Sequence, residues 1–359
     1  MSDERRLAGE LVSEIERTMR RIGKPLKLME VCGTHTVELR RTGIHSLLPQ
    51  AISLVSGPGC PVCVTPAGYV DNALSLAESG QAVIATFGDM LKIPGTNGRA
   101  LSSLSGRGLV KLVYSPTELV AIARVSALPV VFLAVGFETT IPTVVSALLE
   151  AKKAGASNLL LYTAFKTVTP ALRFLLSSRD HGIDGFILPG HVSVVIGEKA
   201  YEFLAEADGR PGVITGFESL DMLLGILLLV RQIERGENRV ENAYPRAVRA
   251  DGNPRARAIM EENLVPRSDV WRGLGKIPDG ALGLRPEWAG SDAEKRFELP
   301  EARDAEAPGC LCSRVIAGKA IPPECALFGR RCTPDDPVGP CMVSSEGTCA
   351  AYFRYSARR

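Results

Sequence analysis

The sequence predicts an α/β protein: two similar parallel-sheet domains built from βαβ units, followed by a small C-terminal domain organised around cysteines. Three observations predict it. Between residues 27 and about 235 a short β-branched apolar run, a Gly-rich polar loop and an amphipathic stretch recur in that order, which is the pattern of parallel strands joined by crossover helices. Eight such runs occur, more than one small doubly wound domain holds. The nine cysteines fall into two groups, three within residues 32–63 and six within residues 310–349, with none between.

The elements follow in chain order. Residues 1–24 are charged at helical spacing, which predicts an amphipathic helix and not a secretory leader. The strand ends are LKLMEV before Cys32, AISLVS before Gly57, AVIATF before Gly88, LVKLVY before Ser115, VVFLAV before Gly136, NLLLYT before Ala164, GFIL before Pro189 and GVIT before Gly216. The stretch Met222 to Val230, interrupted only by Gly225, reads as a buried helix. It is far short of the roughly 20 residues that cross a bilayer. RVSALP (124–129) follows four units and precedes four more, so we expect domains at 1–125 and 126–236. Residues 237–359 are expected to be a linker and a cysteine-rich domain, the first part polar and weakly periodic. Seven arginines between 231 and 260 fit a solvated face.

Composition narrows the function. With 42 basic and 40 acidic residues in 359, the net charge of +2 carries no electrostatic footprint for nucleic acid. Phosphate-loop, dinucleotide-fold, zinc-protease and serine-hydrolase signatures are absent from the sequence. Without a leader or a membrane span a cytoplasmic location is expected, where clustered cysteines mark metal or redox chemistry more often than structural disulfides.

Ligands of parallel sheets bind outside the carboxyl ends of the strands, and the chemically distinctive residues fall there. Cys32 and His35 stand at a strand-to-helix junction, where the helix N-terminus favours thiolate, so Cys32 is a candidate soft-metal ligand or nucleophile. Cys60 and Cys63 form a C-x-x-C after Gly-Pro-Gly, suited to a reversible disulfide or half of a metal site. Asp89, Glu138, His191 and Glu218 are candidate acid, base or hydrogen-bonding groups, although carboxylates at helix starts also serve as caps. All are expected to face one cleft between the two α/β domains. In the tail, Cys325, Cys332, Cys341 and Cys349 offer four thiolates for a [4Fe-4S] cluster, with Cys310 and Cys312 as a peripheral pair. Structural zinc is the alternative from spacing alone.

The ordered set EVCGTHT (30–36), GPGCPVC (57–63), GDM (88–90), VGFETT (135–140), LPGHVS (188–193), TGFE (215–218) and PVGPCMVSSEGTCAAYF (337–353) resembles the HypD family of [NiFe]-hydrogenase maturation factors across nearly the whole chain. The resemblance implies two α/β domains and a [4Fe-4S] domain, and a scaffold on which the Fe(CN)2CO moiety is built. It implies a small HypC-type chaperone as partner and a HypE-type protein as cyanide donor. By matching motif, Cys32 would hold the iron, Cys60 and Cys63 would act in redox or at the iron site, and Cys325, Cys332, Cys341 and Cys349 would hold the cluster. Two other readings compete: a stand-alone disulfide reductase using Cys60 and Cys63, and a zinc-stapled interaction protein.

Overall fold

The computed structural model describes residues 3–177, 182–206 and 209–355. All eight expected strands form: β1 (Leu26–Glu30), β2 (Ile52–Ser56), β3 (Val83–Thr86), β4 (Val110–Leu112), β5 (Val130–Gly136), β6 (Leu159–Lys166), β7 (Gly185–Pro189) and β8 (Gly212–Thr215). Three more follow: β9 (Val240–Asn242), β10 (Leu264–Trp271) and β11 (Gly275–Leu284). Helices of seven or more residues are α1 (Asp3–Ile22), α2 (Gly33–Arg41), α3 (Ala67–Glu78), α4 (Glu118–Val125), α5 (Ile141–Lys153), α6 (Val168–Ser177), α7 (Gly190–Ile196), α8 (Ser219–Arg235), α9 (Pro254–Asn263) and α10 (Thr348–Tyr355). None of the described helices is long and apolar enough to cross a membrane.

The strands form two sheets. The first is wholly parallel, in the order β2-β1-β7-β8-β9. The second runs β4-β3-β5-β6 in parallel and continues antiparallel through β11 to β10. Each sheet has helices on both faces, so its central strands are apolar throughout while the edge strands carry polar residues. In β5, Val130, Phe132 and Ala134 join one cluster while Val131, Leu133 and Val135 join the opposite one, the two-residue period of a strand buried on both sides.

This arrangement corrects the expected division near residue 125. β3 and β4 precede that point and β5 and β6 follow it, yet β3 pairs with β5 in one sheet. The chain leaves the first sheet after β2 and returns to it at β7. Parallel neighbours are joined by crossovers, so adjacency in sequence does not identify sheet partners. The expected limit at 236 falls for the same reason, since β9 extends the first sheet and the β10–β11 hairpin extends the second. The hairpin escaped sequence reading because β10 carries Pro266, Arg267, Ser268 and Asp269. It is an edge strand, where proline and charge are tolerated.

The tail is likewise not a separate body with its own core. Cys312, Ile316 and Cys341 share one apolar cluster with Val31, Cys60, Cys63, Phe137 and Trp271, so the tail is packed onto the α/β body. Trp271 is fully buried, and its Nε1–H donates to the Gly280 carbonyl at 3.0 Å.

On the first sheet α1 and α8 cover one face, with Ile15, Met19, Leu28, Val213, Ile226 and Val230 in contact. Gly225 is the one glycine within α8, where it costs about 1 kcal/mol relative to alanine. A Cβ there would lie 2.9 Å from the Thr215 Cβ, so glycine lets the helix approach β8. Gly225→Val is expected to lower the unfolding free energy by about 1–3 kcal/mol, read by denaturant titration; an unchanged midpoint refutes this account of the packing.

Candidate functional site

Each sheet has one point where the strand order reverses, and ligands of such sheets gather there. In the first sheet it lies between β1 and β7, whose carboxyl ends lead into Cys32 and into Gly190-His191. In the second it lies between β3 and β5, whose ends lead into Gly88-Asp89 and into Phe137-Glu138. Most of the sequence-predicted residues therefore stand at two crevices, and the tail loop Ser344–Gly347 joins them.

Cys32 is the N-cap residue of α2 and is 8% exposed. The Gly-Pro-Gly loop lies directly against it: Gly33 N–H donates to the Gly59 carbonyl at 3.0 Å, and a Cβ on Gly59 would lie 2.5 Å from the Cys32 nitrogen. Burial pushes the Cys32 thiol up to about 11, and the Glu346 carboxylate adds to the rise. The N–H groups of His35 and Thr34 and the Thr34 hydroxyl offset this only in part. The expectation of a thiolate at a helix N-terminus is thus corrected, because desolvation outweighs the helix end. A bound metal reverses the balance, since it takes the thiol deprotonated.

His35 is completely buried, with Nε2 3.0 Å from the Gly216 carbonyl. That contact assigns the proton to Nε2 and leaves Nδ1, also buried, without a partner. The ring stacks on Phe217 at 4.6 Å between centroids, and His191 stacks on Phe217 at 3.9 Å. Burial lowers His35 to about 4 and also lowers His191, so both imidazoles are neutral at pH 7. Phe217 was quoted within TGFE but not singled out, and its place between the two rings is set by tertiary contact alone.

Cys60 caps the short helix Pro61–Val64, and its sulfur accepts the Cys63 N–H at 3.2 Å. Cys60 Sγ–H donates to Ser344 Oγ at 3.3 Å, and Ser344 Oγ–H donates to Asp89 Oδ2 at 3.0 Å. Asp89 Oδ2 also accepts from Ser345 N–H at 3.1 Å and Ser345 Oγ–H at 3.3 Å. Asp89 thus anchors the tail loop, the hydrogen-bonding role among those expected for it. The loop closes over Cys32: Thr34 Oγ1–H donates to Glu346 Oε1 at 2.8 Å, and a Cβ on Gly33 would lie 2.5 Å from the Glu346 carbonyl oxygen. Ser344 and Glu346 were missed as site residues. The available signal was an acidic residue among small ones, S-S-E-G, between two cysteines of the tail.

The two cysteine groups meet. Cys63 is in hydrogen-bonding contact with Cys341, and burial holds its thiol well above the usual range. Cys341 Sγ lies 2.7 Å from Cys312 Sγ, Cys312 contacts Cys310, and Cys341 contacts Cys349. Cys332 accepts the Val338 N–H at 3.3 Å and faces Cys349 and Cys310, while Cys325 Sγ rests 3.7 Å from the Gly309 carbonyl. Cys310 and Cys312 are therefore not peripheral, and Cys312 sits at the centre of the thiol group. Among the described residues no three His, Cys, Asp or Glu side chains converge to hold a single metal ion.

Glu138 stands apart from this group. Its Oε1 accepts the Val168 N–H at 2.9 Å, the helix-capping role weighed for it, and its side chain lines a different cavity. Glu218 is the N-cap residue of α8, with its exposed side chain 3.4 Å from Arg246.

Residues 6–356 match the HypD family, described as "Hydrogenase formation hypA family". The chain is 42% identical over 363 residues to a hydrogenase maturation factor HypD of Rhizobium leguminosarum bv. viciae, covering 98% of this chain and 94% of the relative. It is 41% identical over 334 residues to the hydrogenase maturation factor HypD of Escherichia coli K12, covering 92% and 90%. It is 38% identical over 354 residues to a putative hydrogenase expression/formation protein of Methanocaldococcus jannaschii, covering 98% of each chain.

The depressed His35 basicity has a sign. The folded protein resists protonating a ring that the unfolded chain protonates near its ordinary value, so stability is complete above about pH 6.5 and falls as pH drops towards 4. The loss from this group is expected to reach roughly 3 kcal/mol. His35→Gln, which keeps a donor for the Gly216 carbonyl, is expected to flatten the stability profile between pH 4 and 6.5, measured by urea titration at each pH. An unaltered slope would place the acid sensitivity elsewhere.

Proposed function

The chain belongs to the HypD family of hydrogenase maturation factors, and from the thiol geometry we propose that it is the scaffold and redox protein on which the Fe(CN)2CO moiety of [NiFe]-hydrogenase is assembled. In this reading a HypC-type chaperone binds at the Cys32 cleft and a HypE-type protein delivers cyanide there, in the cytoplasm, where free thiols persist. The observation that carries the proposal is the contact between Cys63 and Cys341, which brings the strand-end cysteines against the tail cysteines within one buried core.

Cys32 is the residue that holds the cargo iron. The neighbouring N–H groups of Thr34 and His35 stabilise its sulfur once it is a thiolate. Gly59 and Gly33 let the neighbouring loops pack closely against its backbone, and the Glu346 loop shields it from water. Low-spin iron carrying cyanide and carbonyl suits soft thiolate donation. The neutral His35 and His191 rings and the Phe217 face between them form a wall of low polarity.

Cys60 and Cys63 supply reducing equivalents: closing their disulfide releases two electrons and two protons. Ser344 and Asp89 hold Cys60 in hydrogen-bonding contact at that end of the pair. At the other end Cys63 faces Cys341 of the tail group. In this reading the cluster ligands are Cys325, Cys332, Cys341 and Cys349, with Cys312 lying beside Cys341. A [4Fe-4S] cluster held there stores and supplies single electrons. The reductase reading has no comparable support, since Cys60 and Cys63 are 5% and 1% exposed and present no face to a free disulfide substrate.

Two measurements test the proposal. Infrared spectra of the anaerobically purified chaperone complex are expected to show bands of bound cyanide and carbonyl, and Cys32→Ala is expected to abolish them while the tail iron and sulfide remain. Absence of the bands from the unaltered complex refutes the scaffold. Iron and sulfide analysis is expected to show Cys332→Ala, Cys341→Ala and Cys349→Ala each losing the cluster; a cluster retained in Cys341→Ala removes that residue from the ligand set.

A further inference from the structure

We propose that the cavity beyond the carboxyl ends of β5 and β6 is a second binding site, which takes an organic cation: an ammonium, amidinium or guanidinium group on an apolar body. The cavity measures about 660 Å³ and shares no residue with the thiol site. Its walls are apolar, formed by Pro170, Ile196, Met260, Leu264, Pro266 and Leu282 from elements of both sheets. Volume and lining are those of small-molecule pockets, which carry few polar groups on apolar walls.

The polar group that selects the ligand is Glu138. It is 4% exposed, one carboxylate oxygen is held by the Val168 N–H, and Oε2 is buried with no hydrogen-bond partner. An orphaned buried carboxylate oxygen is costly, and a ligand that donates an N–H removes the cost. The surrounding charge favours a cation. Four carboxylates line the cavity (Glu138, Asp251, Glu261 and Asp279) against Lys199 and Arg257. Both basic groups are already engaged, Lys199 with Asp251 at 2.8 Å and Arg257 with Glu261 at 3.3 Å. An anion gains nothing from the start of α6, because Glu138 already occupies the Val168 N–H.

The site has a pH signature. Burial pushes Glu138 up to about 7, opposed by its own N–H and that of Val168, and its charge is felt by the buried Tyr201 hydroxyl. A cation beside the carboxylate favours the charged form, so binding strengthens as pH rises through 7. The cation has two possible sources, a free amine or the Lys or Arg side chain of a partner protein.

The test is calorimetric titration of the full chain with benzamidine, using neutral benzamide as control. Benzamidine is expected to bind one saturable site, about tenfold tighter at pH 8 than at pH 6, with no measurable heat from benzamide. Glu138→Gln keeps an acceptor for Val168 and is expected to fold. It should lose at least about tenfold in affinity, the value of one charge-assisted hydrogen bond, and with it the pH dependence. Leu282→Trp fills the cavity from another wall and should abolish binding without touching Glu138. The peptide acetyl-Leu-Arg-Leu-amide distinguishes the sources: binding tighter than benzamidine assigns the site to a partner side chain, and weaker binding assigns it to a free amine. No benzamidine binding, equal binding by benzamide, or equal binding by Glu138→Gln overturns the proposal. None of these outcomes bears on the iron scaffold, which the infrared measurement decides separately.

Discussion

Burial of Cys63 against Cys341 is the contact on which the site depends. It seats the C-x-x-C turn and the short helix Pro340–Val343 in one apolar cluster with Val31, Phe137 and Trp271. Because the tail shares this core, its cysteines are positioned by the same packing that orders the strand ends. The cost is electrostatic. Desolvation lifts the thiols of Cys32 and Cys63 above their ordinary range, and neighbouring thiols, with burial behind them, lift Cys312 and Cys341, so all four rest as thiols and ionise when a metal or a redox step takes the proton. Buried, protonated sulfur is protected from solvent oxidants, which suits residues that wait for a partner.

The tail loop converts that packing into a site. Asp89 belongs to the reversal point of the second sheet, and Cys32 and Thr34 to that of the first. Ser344 and Ser345 bind one and Glu346 binds the other, so a few residues span both crevices. Helix α10 continues the connection: Arg40 of α2 lies over the Tyr352 ring at 3.1 Å, and Thr36 of the same helix donates to the buried Glu30 carboxylate at 2.5 Å. The helix that begins at Cys32 is therefore braced by the segment that carries Cys349, and the Cys32 loop and the tail are mechanically one unit.

Much of this was legible in the chain. All eight strands, the N-terminal helix and the apolar helix at 219–235 form where periodicity placed them, with β4 ending at Leu112 and β6 running on to Lys166 instead of the ends expected at Tyr114 and Thr163, because a strand buried on both faces must be continuously apolar. The cysteines, His35, Asp89 and His191 were recognisable as strand-end residues. Roles were less legible. Asp89 and Glu138 look alike in sequence, a carboxylate just after a strand, yet one anchors the tail and the other lines a separate cavity. Phe217, Ser344 and Glu346 carry no distinctive chemistry of their own and matter only through what they touch.

The sequence by itself determined the alternation of strand and helix, the clustering of thiols and the loops on which they sit, since these follow from local spacing and from which residues can be buried. Only the tertiary structure decided which strands are neighbours, which cysteines meet and which carboxylate faces which cavity. Backbone hydrogen bonds between parallel strands are chemically alike for any pair. The choice of partner is made by side-chain packing summed over the whole chain, and no local segment contains that sum.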